Sequence, residues 1–199
     1  MPVRSLFVTR LYEAEIVDER LIAELSHSIR TLARDDRAGR RWSREHGYAG
    51  YTSYASLNDL PKRDPSISRL ARLLGRHAAS FAKECAFDLM CKPKLDSLWV
   101  NLLKRGGHHS GHIHPHSVIS GTFYVEAPRG SGAIRFEDPR QPLMMAAPLR
   151  RSGAEAELQP FVSIEPRPGL ILLWESWLRH EVLPGTGRGE RVSISFNFA

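Results

Sequence analysis

Residues 111 to 125 read GHIHPHSVISGTFYV, with His112, His114 and His116 at every second position ahead of a strand-like run. Side chains two residues apart in an extended chain point to the same side, so His112 and His114 converge on one point. Imidazole suits Fe, Zn, Cu and Ni, and such a pair on a barrel strand, joined by a distant third ligand, builds a facial metal triad. His108 and His109 crowd the same stretch, and a solvated polar loop would have this composition too; on these residues alone the two readings weigh evenly. Towards the C-terminus, LLWESWLRHEVLP carries His180 at the close of an apolar run. The following RVSISFNF sets Arg191, Ser193, Ser195 and Asn197 on one strand face and Val192, Ile194, Phe196 and Phe198 on the other. Turned inward, the polar face requires a polar cavity. An arginine there needs an anionic partner, because a buried unpaired guanidinium is expensive and its fork matches a carboxylate in two hydrogen bonds. Turned outward, Arg191 is an ordinary surface charge.

The elements that must hold these residues fall into two kinds. Asp18 can cap a helix whose apolar positions Leu21, Ile22, Leu25, Ile29 and Leu32 recur at helical spacing. Pro65-Ser66 opens a second helix with Ile67, Leu70, Leu74, Ala78, Phe81 and Cys85 as its buried stripe. Between them GRRWSREHGYAGYTSYASLNDLP has no clear period and reads as a long ordered loop. From about Leu95 onward, short apolar or alternating runs separated by Gly and Pro give about seven strands. The expectation is mainly β with bracing N-terminal helices: a double-stranded β-helix, or jelly roll, of cupin-like form. It predicts a single domain over 1–199, with 1–94 as helical support and loop and 95–199 as the jelly-roll core. PLMMAAPLRRSGAEAELQP reads as one long inserted loop.

Composition excludes little but consistently. The chain has 199 residues, 42% of them hydrophobic, enough for a full core in one domain. No run approaches the roughly 18 apolar residues of a membrane span, and the N-terminus lacks the apolar block of a signal peptide, so the expected compartment is the cytoplasm. Cys85 and Cys91 are too few for a disulfide framework or zinc knuckle and read as reduced thiols. The net charge of +6 comes from scattered arginines without a nucleic-acid motif.

Taken together, a His-x-ligand pair at a strand start, a distal His and an Arg-x-Ser on the last strand resemble the Fe(II)- and 2-oxoglutarate-dependent oxygenases. The similarity is closest to a bacterial family marked by HxHPxSxxSGxxYV and by SWLxHxVxP followed by RxSxSFN. Here these read HIHPHSVISGTFYV, SWLRHEVLP and RVSISFNF, with GAIRFEDPR and WSREHGYAGYTSYASL as further matching stretches. The resemblance implies Fe(II) as metal, 2-oxoglutarate as co-substrate and O2 as oxidant. It makes His112 the first iron ligand, His180 the distal ligand and Arg191 the partner of the 2-oxoglutarate distal carboxylate, with Ser193 assisting. Tyr124 is expected on that same carboxylate and Asn101 at the co-substrate's other end. The implied reaction oxidises a substrate C–H bond, by hydroxylation or otherwise, and releases succinate and CO2.

One position departs from the usual pattern of the superfamily. The superfamily carries Asp or Glu two residues after the first His, whereas this chain has His114. Three neutral imidazoles still hold iron facially, as in some cupin-type dioxygenases, but leave the site one unit more positive, which favours a dianionic chelating ligand. His114 ranks first as third ligand, His116 second and Glu175 third, with Glu137 and Asp138 as further carboxylates off the i+2 spacing. Tyr48, Tyr51, Tyr54, Trp174 and Trp177 are candidates for lining a substrate mouth, and Met144 to Leu158, with Arg150 and Arg151, for a lid. The substrate is expected to be a small molecule or peptide, and a homodimer is compatible with the chain. Two rival classes use the same histidines: a three-His metal dioxygenase independent of 2-oxoglutarate, and a cupin-like metal- or ligand-binding module without turnover.

Overall fold

The computed structural model describes residues 3–199; Met1 and Pro2 lie outside the described residues. In chain order the elements are β1 Leu11–Glu15, α1 Glu19–Asp35, α2 Arg37–Glu45, β2 Gly50–Thr52, α3 Leu60–Arg63, α4 Pro65–Glu84 and β3 Leu95–Leu103. There follow β4 His109–His112, β5 Ile119–Glu126, β6 Ile134–Glu137, β7 Phe161–Ile164, β8 Leu170–Glu175, β9 His180–Val182 and β10 Arg191–Phe198. Two antiparallel sheets form, a major one in the order β1-β8-β5-β10-β3-β2 and a minor one in the order β4-β9-β6-β7. The strands from β3 onward divide four and four between these sheets, and the two sheets make a double-stranded β-helix. No described helix is long and apolar enough to cross a membrane.

The helices form where their ends are satisfied and their apolar stripes have a sheet to cover. Asp18 caps α1 by accepting from the Leu21 N–H at 2.9 Å, and Asp64 caps α4 from the N–H groups of Ser66 and Ile67, with Pro65 at the first position. The buried residues Leu21, Leu25 and Ile29 of α1 and Leu70, Leu74, Ala78 and Phe81 of α4 join one core with Val100, Phe123, Ile194 and Phe196 from the major sheet. Burying one such leucine stabilises the fold by about 1.5–3 kcal/mol. The outer face of the sheet is thereby committed to the helices, and the other face is left to line the barrel.

β10 lies at the centre of the major sheet, between β3 and β5. Its register sets Ser193 beside Asn101 and Tyr124, Ser195 beside Trp99 and Thr122, and Asn197 beside Ser97 and Ser120. Val192, Ile194, Phe196 and Phe198 belong to the helix-side core. The alternation along RVSISFNF therefore separates a dry face from a polar one across three strands.

Two segments differ from the sequence expectation. The stretch 39–61 is no continuous loop but carries most of α2, all of β2 and the start of α3. Asp36 caps α2 by accepting from the Gly39 N–H at 3.0 Å, and the helix buries only Gly39 and Ser43, so it shows no apolar period. His109–His112, too polar to read as a strand, pairs with β9 and aligns His112 with His180.

Gly121 of β5 lies opposite Phe196, and a Cβ there would run into the Phe196 ring and the Leu173 side chain. Gly121→Val is expected to destabilise the protein by about 1–3 kcal/mol in urea unfolding, the usual penalty of overpacking. Unchanged stability would mean that Phe196 does not cover this position.

Candidate metal centre and co-substrate cavity

Three elements bring the histidines together. His112 ends β4, His180 opens β9 directly across the ladder, and His114 is held on the following loop by its N–H, which donates to the Ser176 carbonyl at 2.9 Å. One ligand atom from each of His112, His114 and His180 lies within 4.8 Å of the others. Among the described residues this is the set that could share one ion.

The tautomers follow from the partners. His112 Nδ1 faces the Ser110 carbonyl at 2.7 Å and His180 Nδ1 the Leu178 carbonyl at 2.9 Å. A carbonyl only accepts, so both Nδ1 atoms carry the proton and both Nε2 lone pairs are free. His114 Nδ1 lies 2.6 Å from Asn197 Oδ1, whose amide is oriented by its Nδ2 donating to Ser97 Oγ at 2.9 Å. The Ser120 hydroxyl also donates to Asn197 Oδ1, at 2.8 Å. Each imidazole is thus fixed from behind, which is how metal-ligating histidines are ordinarily oriented. Burial, then the neighbouring His112, pushes the His180 pKa down to about 3, and burial also lowers that of His114. Both are neutral at pH 7, as a metal requires.

The other candidate ligands stand outside the cluster. His116 is exposed and is not one of the three histidines whose ligand atoms converge. Glu175 accepts from Trp177 Nε1 at 2.9 Å, Glu137 pairs with Arg179 at 3.0 Å and Asp138 with Arg140 at 2.8 Å.

The histidines line a cavity of about 490 Å³ that also contains Arg191, Ser193, Ser195, Asn197, Asn101 and Trp174. Arg191 is only 4% exposed, yet its ion-pair partner is missing among the described residues; its Nη1 donates to Ser193 Oγ at 3.2 Å and its Nε has no partner. The guanidinium stacks over the Tyr124 ring at 4.8 Å. Tyr124 is fully buried, and its hydroxyl has no hydrogen-bond partner. Burial raises its pKa, so the phenol stays protonated as a donor. An unsatisfied buried donor costs about 1–3 kcal/mol. Arg191, a permanent cation in the cavity wall, therefore fits the carboxylate of an anionic ligand, with the Tyr124 ring packed against it but outside the cavity lining, and the three free Nε2 lone pairs fit a divalent cation.

Other expected residues fall differently. Asn101 faces the cavity, but its Oδ1 already accepts from Thr52 Oγ1 at 2.9 Å and Tyr48 Oη at 3.2 Å, and its Nδ2 donates to Ser195 Oγ at 3.1 Å. Tyr51 does not reach the mouth: on β2 it is Thr52 that points inward, and Tyr51 is buried on the other side with its hydroxyl donating to Asp36 at 2.9 Å. Tyr54 does line the mouth, with Trp42 and Trp99, and Trp174 lies on the inner wall with its ring 4.6 Å from His180. The segment Met144 to Leu158 is largely exposed and contributes no residue to the cavity lining.

Sequence reasoning missed two features. Asn197 stands in the polar row of β10, and the same alternation that singles out Arg191 could have found it. His109, to which the sequence pattern assigned no role, lines the cavity wall and its Nε2 lies 2.9 Å from the Tyr48 hydroxyl. No spacing links His109 to Tyr48, which is brought in by the turn after α2.

Solved structures of similar shape include a Pseudomonas putida prolyl-4-hydroxylase, 13% identical with a TM-score of 0.61, covering 96% of this chain and 92% of that one. AviO1 from Streptomyces viridochromogenes Tue57 is 16% identical with a TM-score of 0.66, covering 96% and 90%. HygX from Streptomyces hygroscopicus, solved with nickel and 2-oxoglutarate bound, is 14% identical with a TM-score of 0.62, covering 96% and 83%. At these identities the likeness is one of fold. No curated protein matches the sequence. Residues 97–197, the span that holds every histidine of the cluster and Arg191, match the family described as "Putative 2OG-Fe(II) oxygenase". With the double-stranded β-helix, the three-histidine cluster and that match over half its length, the chain belongs to the 2OG-Fe(II) oxygenase family, oxidoreductases that depend on Fe(II), 2-oxoglutarate and O2.

Proposed function

We propose that the protein is a dioxygenase that oxidises a C–H bond of a small molecule or peptide, with His112, His114 and His180 holding Fe(II) and Arg191, Tyr124 and Ser193 holding 2-oxoglutarate. The observation that carries this reading is the pairing of three imidazole Nε2 edges aimed at one point with a buried, unpaired guanidinium in the same cavity. When bound, iron and 2-oxoglutarate supply the oxidising chemistry, in which 2-oxoglutarate and O2 yield succinate and CO2 and one oxygen atom is available to the substrate.

The protein's own residues do three things. The Ser110 and Leu178 carbonyls and Asn197 hold the histidine tautomers, so the metal meets lone pairs without a prior proton loss. Arg191 and Tyr124 supply charge and a hydroxyl donor for the distal carboxylate, which recovers the two donors otherwise left orphaned. The helix-packed face of the major sheet keeps water from reaching the cavity from behind. Tyr54, Trp42 and Trp99 leave the open side to the substrate. A neutral third ligand leaves one more unit of positive charge at the metal than a carboxylate would, which suits a dianionic co-substrate. A metal site independent of 2-oxoglutarate, or a module without turnover, would leave Arg191 and Tyr124 without a use. The free cysteines Cys85 and Cys91 fit a reducing compartment, and we take the cytoplasm as the site of action.

Succinate formation by Fe(II)-loaded protein under O2 tests the reading, and an inert protein with full metal and bound 2-oxoglutarate would contradict it. Replacing His112, His114 or His180 by Ala is expected to empty the metal site with the fold retained, as read by iron content and circular dichroism. His116→Ala should keep the metal. Asn197→Ala is expected to weaken metal binding by about 10–100-fold through loss of the His114 orientation; retention equal to wild type would separate Asn197 from the site. Arg191→Ala should weaken 2-oxoglutarate by roughly tenfold to a hundredfold, the scale of a charge-assisted pair of about 1.5–3 kcal/mol, with iron retained. Unchanged affinity would mean that the cavity's cation serves another ligand.

A further inference from the structure

The cavity wall contains a polar relay that the proposed ligand set leaves unused. The Tyr48 hydroxyl stands between His109 Nε2 at 2.9 Å and Asn101 Oδ1 at 3.2 Å, and Asn101 is itself held by Thr52 and Ser195. Tyr48 has a single proton to give. If it donates to Asn101, His109 must be protonated on Nε2 and offers a bare Nδ1. If it donates to His109 Nε2, the proton of the ring sits on Nδ1 and becomes a donor. Asn101 Oδ1 keeps its bond from Thr52 in both arrangements, so the exchange leaves no buried group unpaired.

Nδ1 is the unbonded edge of His109 among the described residues, and His109 lines the cavity. The ring lies in the fields of both Arg191 and His112, and its centroid is 6.5 Å from that of His112. His109, the histidine cluster and Arg191 line one cavity. Burial first, then the Arg191 charge, pushes its pKa down to about 3, so the ring is neutral and acts through its tautomer rather than through a charge. A carboxylate offers only acceptors and selects the arrangement with Nδ1–H.

We propose that His109 contacts the co-substrate by donating Nδ1–H to a carboxylate oxygen of 2-oxoglutarate, with Tyr48 as the residue that positions its tautomer. The inference rests on the oxygenase reading above. It moves to His109 the contact expected of Asn101, whose amide nitrogen, the group that could meet a carboxylate, already donates to Ser195 Oγ and whose oxygen accepts from Thr52, so that Asn101 instead anchors the relay.

The test is anaerobic calorimetric titration of the Fe(II)-loaded protein with 2-oxoglutarate, alongside iron content for each variant. His109→Ala is expected to weaken 2-oxoglutarate about tenfold, the scale for losing one hydrogen bond to a charged group, with iron content unchanged. His109→Asn, whose amide nitrogen stands near the place of Nδ1, should recover most of the affinity, which a merely structural role would not predict. Tyr48→Phe should give a smaller, severalfold loss, and the exposed His108→Ala should bind as wild type. Wild-type affinity in His109→Ala, failure of His109→Asn to recover any affinity, or loss of iron from His109→Ala would each overturn the proposal. Arg191→Ala run in parallel separates the two levels: if it loses 2-oxoglutarate while His109→Ala does not, only the His109 contact fails, and if wild type binds no 2-oxoglutarate, the oxygenase reading itself fails.

Discussion

A guanidinium buried to 4% exposure with no carboxylate beside it is the constraint on which the rest of the barrel depends. Burying such a charge unpaired is unfavourable, so the fold carries it only because other interactions stabilise the surrounding strands. Those interactions lie on the opposite face of the same strand. Val192, Ile194, Phe196 and Phe198 sit in a core built with α1 and α4, which fixes β10 in the middle of the major sheet and turns Arg191 into the cavity. The helices thus do more than brace the barrel: by sealing one face of the sheet, they fix what the other face must accommodate.

The metal centre is arranged by a similar logic of acceptors. Backbone carbonyls stand behind two of the three imidazoles and a side-chain amide oxygen stands behind the third. One carbonyl, of Ser110, lies within β4 and the other, of Leu178, in the turn before β9, whereas Asn197 is a sequence choice at a position that also faces Ser97 and Ser120. The superfamily resemblance leads one to expect a carboxylate two residues after the first histidine, and this chain instead combines an imidazole at 114 with an amide oxygen that fixes its proton. The consequence is a more electropositive centre facing an already cationic Arg191, and hence a cavity that calls for a doubly negative ligand.

How far the sequence led can be traced to which forces leave a local pattern. The alternation in RVSISFNF, the helical stripes of α1 and α4, and the i, i+2 histidines are all periodic consequences of one-sided burial, and each could be read directly. α2 and β2 could not, because α2 buries only a glycine and a serine and β2 is three residues long. Tyr51 and Thr52 illustrate the same limit: one residue of register decides which enters the cavity, and a three-residue strand carries too little pattern to set it. His109 was hidden for a different reason. Its partner is Tyr48, which approaches it from 61 residues away in the chain, and a contact of that kind has no period.

The central claim, that one cavity holds iron on three histidines and 2-oxoglutarate between that iron and Arg191, is tested most directly by optical titration of the anaerobic Fe(II) protein with 2-oxoglutarate. The account predicts a weak visible charge-transfer band that grows saturably and requires both components. Full iron occupancy with no such band at saturating 2-oxoglutarate would contradict it.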